Sequence, residues 1–169
     1  MFGDVSVQAG RALEASIGST LVTFVECDVT RYQDQLDLFR RAYELHGRVD
    51  IVISIAGVND ASDIFAPDEP LDVEPRLREL DVNLKGAMFT SKIGMAYLRK
   101  SGGGDLILVS SIAGFKECTG LVPYTASKHG VLGILRGLHI SAIQEGIRVN
   151  AICPWMTSRF ALTFVGILC

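Results

Sequence analysis

The chain has 169 residues, of which 49% are hydrophobic, and a formal net charge of −3 from 16 basic and 19 acidic residues. This length predicts one domain, and the apolar fraction is too high for a disordered chain. No long run of either charge occurs, which argues against nucleic acid or an anionic membrane surface as a partner. No apolar stretch approaches the ~20 residues of a membrane span, and the N-terminus lacks a secretory signal, so a cytoplasmic location is expected.

Cysteine and histidine residues lack the spacing of metal sites. No CxxC pair occurs among the cysteines, which are Cys27, Cys118, Cys153 and Cys169. The histidines, His46, His129 and His139, form no ligand pattern either. We therefore predict no metal site and expect the thiols to be buried.

Short segments rich in valine and isoleucine alternate with segments whose apolar residues recur every three or four positions. In chain order they predict helix Val7–Ile17, strand Leu21–Cys27, helix Tyr32–Leu45, strand Val49–Ile55, helix Glu74–Arg99, strand Asp105–Ser110, helix Tyr124–Glu145 and strand Ile147–Cys153. Apolar strands separated by helices favour a doubly wound α/β domain, with a parallel sheet covered on both faces.

Candidate ligand-binding residues follow the predicted strands, because ligands of open parallel sheets lie beyond the carboxyl ends of the strands. They are Asp28, Ala56, Gly57, Ser110, Ser111 and Pro154. Some have structural alternatives: Asp28 with Thr30 could cap the next helix, Gly57 could serve a turn, and Pro154 could end a strand. The acidic segment 59–74 is interpreted as a solvated connection, with a binding surface as the alternative.

Tyr124 and Lys128 stand four residues apart at the start of a predicted helix, so they project from one face. An ammonium beside a phenol favours the phenolate, which suits tyrosine for proton exchange near neutral pH. This spacing alone is not specific, but its surroundings are. Ser111 lies in the block VSSIAGFKECTGLVPYTASKHGVLG, and Asn83 lies in DVNLK.

With these motifs the chain resembles the short-chain dehydrogenase/reductase family, most nearly its 15-hydroxyprostaglandin dehydrogenase-like members, from about residue 2 to 158. The resemblance implies hydride transfer between a nicotinamide cofactor and a secondary alcohol or ketone. It also implies that Tyr124 is the general acid/base and that Ser111 orients the substrate oxygen. Lys128 would favour the phenolate and hold the cofactor ribose, and Asn83 would position a water in the proton path.

The resemblance assigns the cofactor-binding positions Asp4, Asp28, Val29, Ala56, Gly57, Tyr124, Lys128, Pro154 and Thr157. Asp28 would meet the adenine ring, and Pro154 would lie beside the nicotinamide. Asp4 matches the acidic residue that ends the family's second strand, where a carboxylate accepts hydrogen bonds from the ribose 2′-hydroxyl. It repels a 2′-phosphate, which favours NAD over NADP. The alternative for Asp4 is the N-cap of the helix that begins at Val7, and the two roles are compatible.

The sequence departs from the family at both ends. Residues 1–4 run almost straight into a helix, and the TGxxxGxG turn that holds the pyrophosphate is missing with its strand and helix. The glycines of Ser101–Gly104 precede a strand instead of following one, so they are interpreted as a turn. Because the missing strand is central, we expect a vacancy or an irregular closure between Leu21–Cys27 and Val49–Ile55. The domain is predicted to span 1–158, with 159–169 an apolar tail outside the family.

Two short motifs inside the chain also depart from the family pattern. The family's Asn-Asn-Ala-Gly turn is Ser54-Ile-Ala-Gly57 in this chain, and the family's Pro-Gly is Pro154-Trp155.

The sequence leaves two functions open. The first hypothesis is an NAD-dependent alcohol dehydrogenase or ketone reductase that acts on a small molecule. The second is a catalytically inactive fragment that pairs with a relative through helices 74–99 and 124–145, through which members of the family dimerise.

Overall fold

The structure is a computed structural model that describes residues 1–60, 63–155 and 165–168. Its strands are β1 (Phe2–Asp4), β2 (Phe24–Glu26), β3 (Ile51–Ser54), β4 (Gly104–Val109), β5 (Ile147–Ile152) and β6 (Val165–Leu168). Its α-helices are α1 (Val7–Ile17), α2 (Tyr32–His46), α3 (Gly86–Lys100) and α4 (Val122–Gln144). No helix in these described ranges is long and apolar enough to cross a membrane.

The predicted α/β class is confirmed, and every predicted helix and strand is present. Helix α1 has the predicted bounds, and most other ends differ by a few residues. The largest difference lies before α3, because residues 74–77 are not helical and a π-helical turn spans Leu80–Lys85. Strand β1 was missed, since three residues are too few to show an alternating pattern.

Strand β6 occupies the centre of the sheet, whose order is β2-β1-β6-β3-β4-β5. It pairs antiparallel with both neighbours, and Gly166 lies opposite both Phe2 and Ile53. All other strand pairs are parallel. The expected vacancy or irregular closure is therefore wrong, because β6 supplies partners for backbone groups that a missing strand would leave unpaired. Residues 165–168 of the apolar tail belong to the sheet.

Local hydrogen bonds fix the segments that enter the helices. Ser6 is the N-cap of α1, and its side chain accepts a hydrogen bond from the Ala9 amide. The alternative role of Asp4 as that N-cap is therefore wrong; its Oδ1 instead accepts a hydrogen bond from the Ser6 amide at 2.7 Å. Helix α2 ends at Gly47, whose φ of 72° is the left-handed conformation that glycine adopts without strain.

Helix α3 packs between α2 and α4, and both α3 and α4 pack against strands of the sheet. Their fully buried side chains, such as Phe39 and Leu98, belong to one hydrophobic core with Val52 and Leu106 of the sheet. Burial alternates along β3 and β4, and the intervening side chains are only half-buried. In the part of the chain that the structure describes, the sheet is therefore not fully covered on both faces, contrary to expectation.

Candidate active site

A cavity of about 690 Å³ opens at the carboxyl ends of β1, β2 and β3. Its size is typical of a small-molecule site. Five predicted cofactor-binding residues line it: Asp4, Asp28, Val29, Ala56 and Gly57. Each lies at or just beyond a strand end, so the parallel arrangement of β1 to β3 brings together residues that are up to 53 positions apart.

Two of the carboxylates that line this cavity, those of Asp4 and Asp28, are held by neighbouring main-chain amides. Asp4 is 5% exposed and bonds the Ser6 amide. Asp28 Oδ1 accepts hydrogen bonds from the Thr30 amide at 2.9 Å and from the Thr30 hydroxyl at 2.8 Å. Because the residue before α2 is Arg31 and no side chain caps that helix, the capping alternative for Asp28 is wrong. Both carboxylates therefore have fixed positions at the edge of the sheet.

Asn83 connects the loop after β3 to helix α4. It lies in the π-helical turn and is 1% exposed. Its Oδ1 accepts a hydrogen bond from the Val58 amide at 2.7 Å, and its Nδ2 donates to the Val58 carbonyl at 2.9 Å. The same Nδ2 donates to Ser127 Oγ at 3.0 Å, and Ser127 Oγ donates to the Tyr124 carbonyl at 2.7 Å. The loop is thus coupled to the helical turn that carries Tyr124.

Lys128 extends from α4 to the end of β4. Its Nζ donates to the Val109 carbonyl at 3.1 Å and lies 5.7 Å from the centroid of the Tyr124 ring. The side chain is buried, and this burial lowers the pKa of Lys128 to about 8, which the nearby Cys153 partly offsets. A Cβ placed at Gly57 would lie 3.3 Å from both Lys128 Nζ and Asn83 Oδ1, so this close approach favours glycine.

Ser111 begins the short 3₁₀ turn Ile112–Gly114 directly after β4, and its Oγ accepts a hydrogen bond from the Ala113 amide at 3.2 Å. The preceding Ser110 Oγ donates to the Lys128 carbonyl at 2.8 Å, which joins this turn to α4. Tyr124 lies in the first turn of α4. The main chains that carry the two hydroxyls are therefore tied together, and the meeting of Ser111 Oγ and Tyr124 Oη on one substrate oxygen stays a prediction.

The chain after β5 passes beside the Ser111 turn. The carbonyl of Pro154 accepts a hydrogen bond from the Ile112 amide at 2.9 Å. Pro154 therefore lies next to the predicted catalytic serine, which suits its expected place beside a nicotinamide. Thr157 lies outside the described residues.

The structure adds residues that sequence reasoning did not select. Ser127 is fully buried and links Asn83 to Tyr124. It could have been suspected, because its position three residues after Tyr124 places it on the same helix face. The cavity is also lined by Val58, Arg76, Leu77, Arg78, Asp81 and Val82. Asp81 and Val82 belong to the DVNLK motif, from which only Asn83 was selected, and residues 76–78 lie in the predicted helix 74–99 without a pattern that marks them for binding.

No group of three or more histidine, cysteine, aspartate or glutamate residues in the described part of the chain could hold a metal ion. Cys27 is buried, and its burial raises the pKa of the thiol to about 12. Cys118 and Cys153 are only half-buried, contrary to the expectation of buried thiols. Cys169 lies outside the described residues.

The family model for short chain dehydrogenases matches residues 3–163. The chain belongs to the short-chain dehydrogenase family. The short-chain dehydrogenase/reductase ascJ of Acremonium egyptiacum is 42% identical over 154 residues, which cover 85% of this chain and 52% of that protein. Human 15-hydroxyprostaglandin dehydrogenase [NAD(+)] is 31% identical over 156 residues, which cover 89% and 54%. The chain thus spans about half the length of the curated relatives it matches.

Solved structures of other proteins share this fold. A short chain dehydrogenase from Mycobacterium smegmatis superposes with a TM-score of 0.79 at 25% identity, covering 92% of this chain and 65% of that one. ElxO with NADP bound has a TM-score of 0.80 at 20% identity, covering 91% of this chain and 62% of that one. Human 15-hydroxyprostaglandin dehydrogenase is named for NAD(+), whereas ElxO was solved with NADP bound.

Proposed function

We propose that the chain carries the catalytic and adenosine-binding parts of an NAD-dependent dehydrogenase that acts on secondary alcohols. The observation that carries this proposal is the buried connection from Asn83 through Ser127 to the Tyr124 main chain, with Lys128 beside the Tyr124 ring. This connection fixes the two ends of a proton path relative to each other. Membership of the short-chain dehydrogenase family supplies the reaction class.

In this proposal Tyr124 exchanges a proton with the substrate oxygen, and Ser111 hydrogen-bonds the same oxygen and orients it. A protonated Lys128 near the phenol ring favours the phenolate by charge attraction. Asn83 holds the loop after β3 and positions a water in the proton path. NAD, when bound, takes up the hydride that leaves the substrate carbon.

The cavity fits the adenosine part of NAD better than its pyrophosphate. Carboxylates at Asp4 and Asp28 can accept hydrogen bonds from ribose hydroxyls and the adenine amino group. The rest of the wall combines apolar side chains with Arg76, Arg78 and Asp81, and Arg78 is paired with Asp60. The buried Asp4 carboxylate supports NAD over NADP, because it would repel a 2′-phosphate. At the centre of the sheet, however, antiparallel β6 begins at the edge where a parallel strand would lead into a phosphate-binding helix. We therefore infer weak binding of the whole dinucleotide.

The proposal is tested by incubating the purified chain with NAD and a panel of secondary alcohols and recording the absorbance of reduced nicotinamide. We expect slow turnover at high NAD concentration, reduced about 10²- to 10⁴-fold by Tyr124→Phe. Tyr97→Phe is the matched control, because the Tyr97 ring packs against Phe39 and Tyr43 in the core. Equal turnover of the wild-type chain and Tyr124→Phe would remove Tyr124 from the mechanism.

A chain with the family's N-terminal strand, glycine-rich turn and helix restored separates catalysis from weak cofactor binding. In this chain we expect NAD-dependent oxidation of a secondary alcohol at much lower NAD concentration, with the same loss on Tyr124→Phe. Absence of turnover in the restored chain, despite NAD binding, would contradict the dehydrogenase proposal.

A second candidate function is association through α3 and α4. These helices border a cavity of about 430 Å³ lined by Met88, Met95, Ile134 and Leu138, among others. Ile140 of α4 adds an apolar side chain that is 66% exposed. Such an unpartnered apolar face favours a dimer, with a second copy or a longer relative. Light scattering at increasing concentration should show a dimer that Met88→Asp disrupts, because Met88 lines this cavity and is exposed. A monomer at every concentration would contradict self-association.

A further inference from the structure

An exposed indole stands beside the Ser111 turn. Trp155 is 74% exposed and directly follows Pro154, whose carbonyl is bonded to the Ile112 amide. It is the single tryptophan of the chain. An exposed indole offers a ligand ring a large stacking area at low cost in conformational entropy.

An ammonium lies above this indole. Lys116 Nζ is 6.0 Å from the centroid of the Trp155 ring. Among the described residues no carboxylate pairs with Lys116, whereas Lys85 is paired with Asp81 and Arg148 with Asp105. The Lys116 amide is bonded to the Ile112 carbonyl, so this lysine belongs to the same turn that follows Ser111. The site therefore offers a cation without a protein counter-ion beside an aromatic face.

We propose that Trp155 and Lys116 recognise a secondary alcohol whose carbinol carbon is attached to an aromatic ring bearing a carboxylate. The ring stacks on the indole, and the carboxylate pairs with the ammonium. The placement of the alcohol toward Ser111 and Tyr124 rests on the proposed function, but binding of the ring and the carboxylate does not. The half-exposed Phe115, on the same turn, extends the apolar surface available to the ring.

The probe is 4-(1-hydroxyethyl)benzoate, and its neutral comparator is 4-(1-hydroxyethyl)benzamide. Because the chain has one tryptophan, its emission reports on Trp155 alone. We expect saturable quenching by both compounds, with a half-saturation concentration about two- to fivefold lower for the benzoate at low ionic strength, the range of an exposed ion pair. Added salt should remove this preference.

Two lysine variants test whether Lys116 causes the preference for the benzoate over the benzamide. Lys116→Met should bind the benzoate and the benzamide equally. Lys100→Met is the matched control, because Lys100 Nζ also lies over an aromatic ring, that of Tyr43, away from the site; it should keep the preference. The inference is overturned if no saturable change occurs, if benzoate and benzamide bind the wild-type chain equally, or if Lys116→Met keeps the preference.

Calorimetry of Trp155 variants gives an independent measurement. Trp155→Phe keeps an aromatic face and should retain most of the affinity for the benzoate, whereas Trp155→Ala should lose at least threefold, on the order of a stacking contact. Equal affinity of Trp155→Ala and the wild-type chain would overturn the proposal. A chain that binds the benzoate as described but never reduces NAD would contradict the dehydrogenase proposal alone.

Discussion

Asn83 Nδ2 and Ser127 Oγ form a buried hydrogen bond of 3.0 Å between the π-helical turn and helix α4. Both residues have further partners: Asn83 bonds the Val58 main chain, and Ser127 bonds the Tyr124 carbonyl. A single polar chain therefore runs from the loop after β3 to the residue predicted to carry the proton. Such connected networks rigidify a site when each member is satisfied.

Ser127→Ala should lower the free energy of unfolding by about 1–3 kcal/mol, because it leaves buried polar partners without a hydrogen bond. Urea denaturation measures this change. Ser141→Ala is the matched control, since Ser141 lies on the same helix and makes the same type of bond to the carbonyl three residues earlier, but at an exposed position. Equal effects of the two substitutions would show that the buried network contributes nothing.

Lys128 should make stability depend on pH in the alkaline range. Burial lowers its pKa from 10.5 to about 8, so between these values the unfolded chain binds a proton that the folded chain does not. The contribution of Lys128 to the free energy of unfolding therefore rises as pH increases through this window, by at most about 1.4 kcal/mol per pH unit, while the raised pKa of Cys27 acts in the opposite direction in every variant compared. Lys128→Met should abolish this rise, whereas Lys92→Met, at an exposed position of α3, should keep it.

The comparison is made by denaturant unfolding of the three proteins at several pH values. Below about pH 8 the lysine is protonated in both states, so the difference between the wild-type chain and Lys128→Met should be constant there. A difference that does not change between about pH 8 and 10.5 would contradict the lowered pKa of Lys128.

Gly166→Pro should destabilise the sheet, because proline removes an amide donor from a central strand. Gly166 lies opposite both Phe2 and Ile53, so both neighbouring strands are affected. We expect a loss of about 1–3 kcal/mol or more. Hydrogen exchange followed by mass spectrometry should show faster exchange in β1 and β3. Unchanged stability and exchange would show that β6 does not pair at the centre of the sheet.

NAD(H) should bind the chain only in the millimolar range. Each charge-assisted hydrogen bond to the pyrophosphate that is lost costs about 1.5–3 kcal/mol, and two or three such losses convert a micromolar site to a millimolar one. Titration with NADH, followed by nicotinamide fluorescence, measures this affinity. Nicotinamide mononucleotide, which lacks the adenosine that the cavity suits, should bind more weakly still. Saturation by NADH at low micromolar concentration would contradict the prediction.

The sequence was sufficient to predict the helices and strands whose apolar residues recur with a clear period, and to select the residues that belong to recognisable motifs. Helix α1 was predicted with its observed bounds, and Gly57 follows a predicted strand whose end lies at the cavity. Asp4 was assigned only by the family resemblance, because β1 is too short to be predicted. The local structures that the sequence pattern did not predict depend on tertiary contacts. The sequence pattern around Leu80–Lys85 predicts a continuous α-helix, but the structure has a π-helical turn there, in which Asn83 is buried.

Strand β6 could not be predicted because the apolar tail has neither alternation nor a polar face that would mark its pairing. Its direction depends on where the chain after β5 re-enters the sheet, which no local pattern encodes. Ser127 was not selected from the sequence for a different reason: its role depends on a hydrogen bond from Asn83, which lies 44 positions away in the chain.

The position of β6 also has a consequence for the order in which the molecule is assembled. Its pairing with β1 joins residues 2–3 to residues 165–166, so the middle of the sheet cannot close until the chain has been synthesised through residue 166. Until then, β1 and β3 each expose an unpaired edge, a template for association with other chains. Contacts of such large sequence separation slow folding and prolong this exposure. During synthesis, a chaperone that shields strand edges would therefore matter more for this arrangement than for one whose central strand is made first.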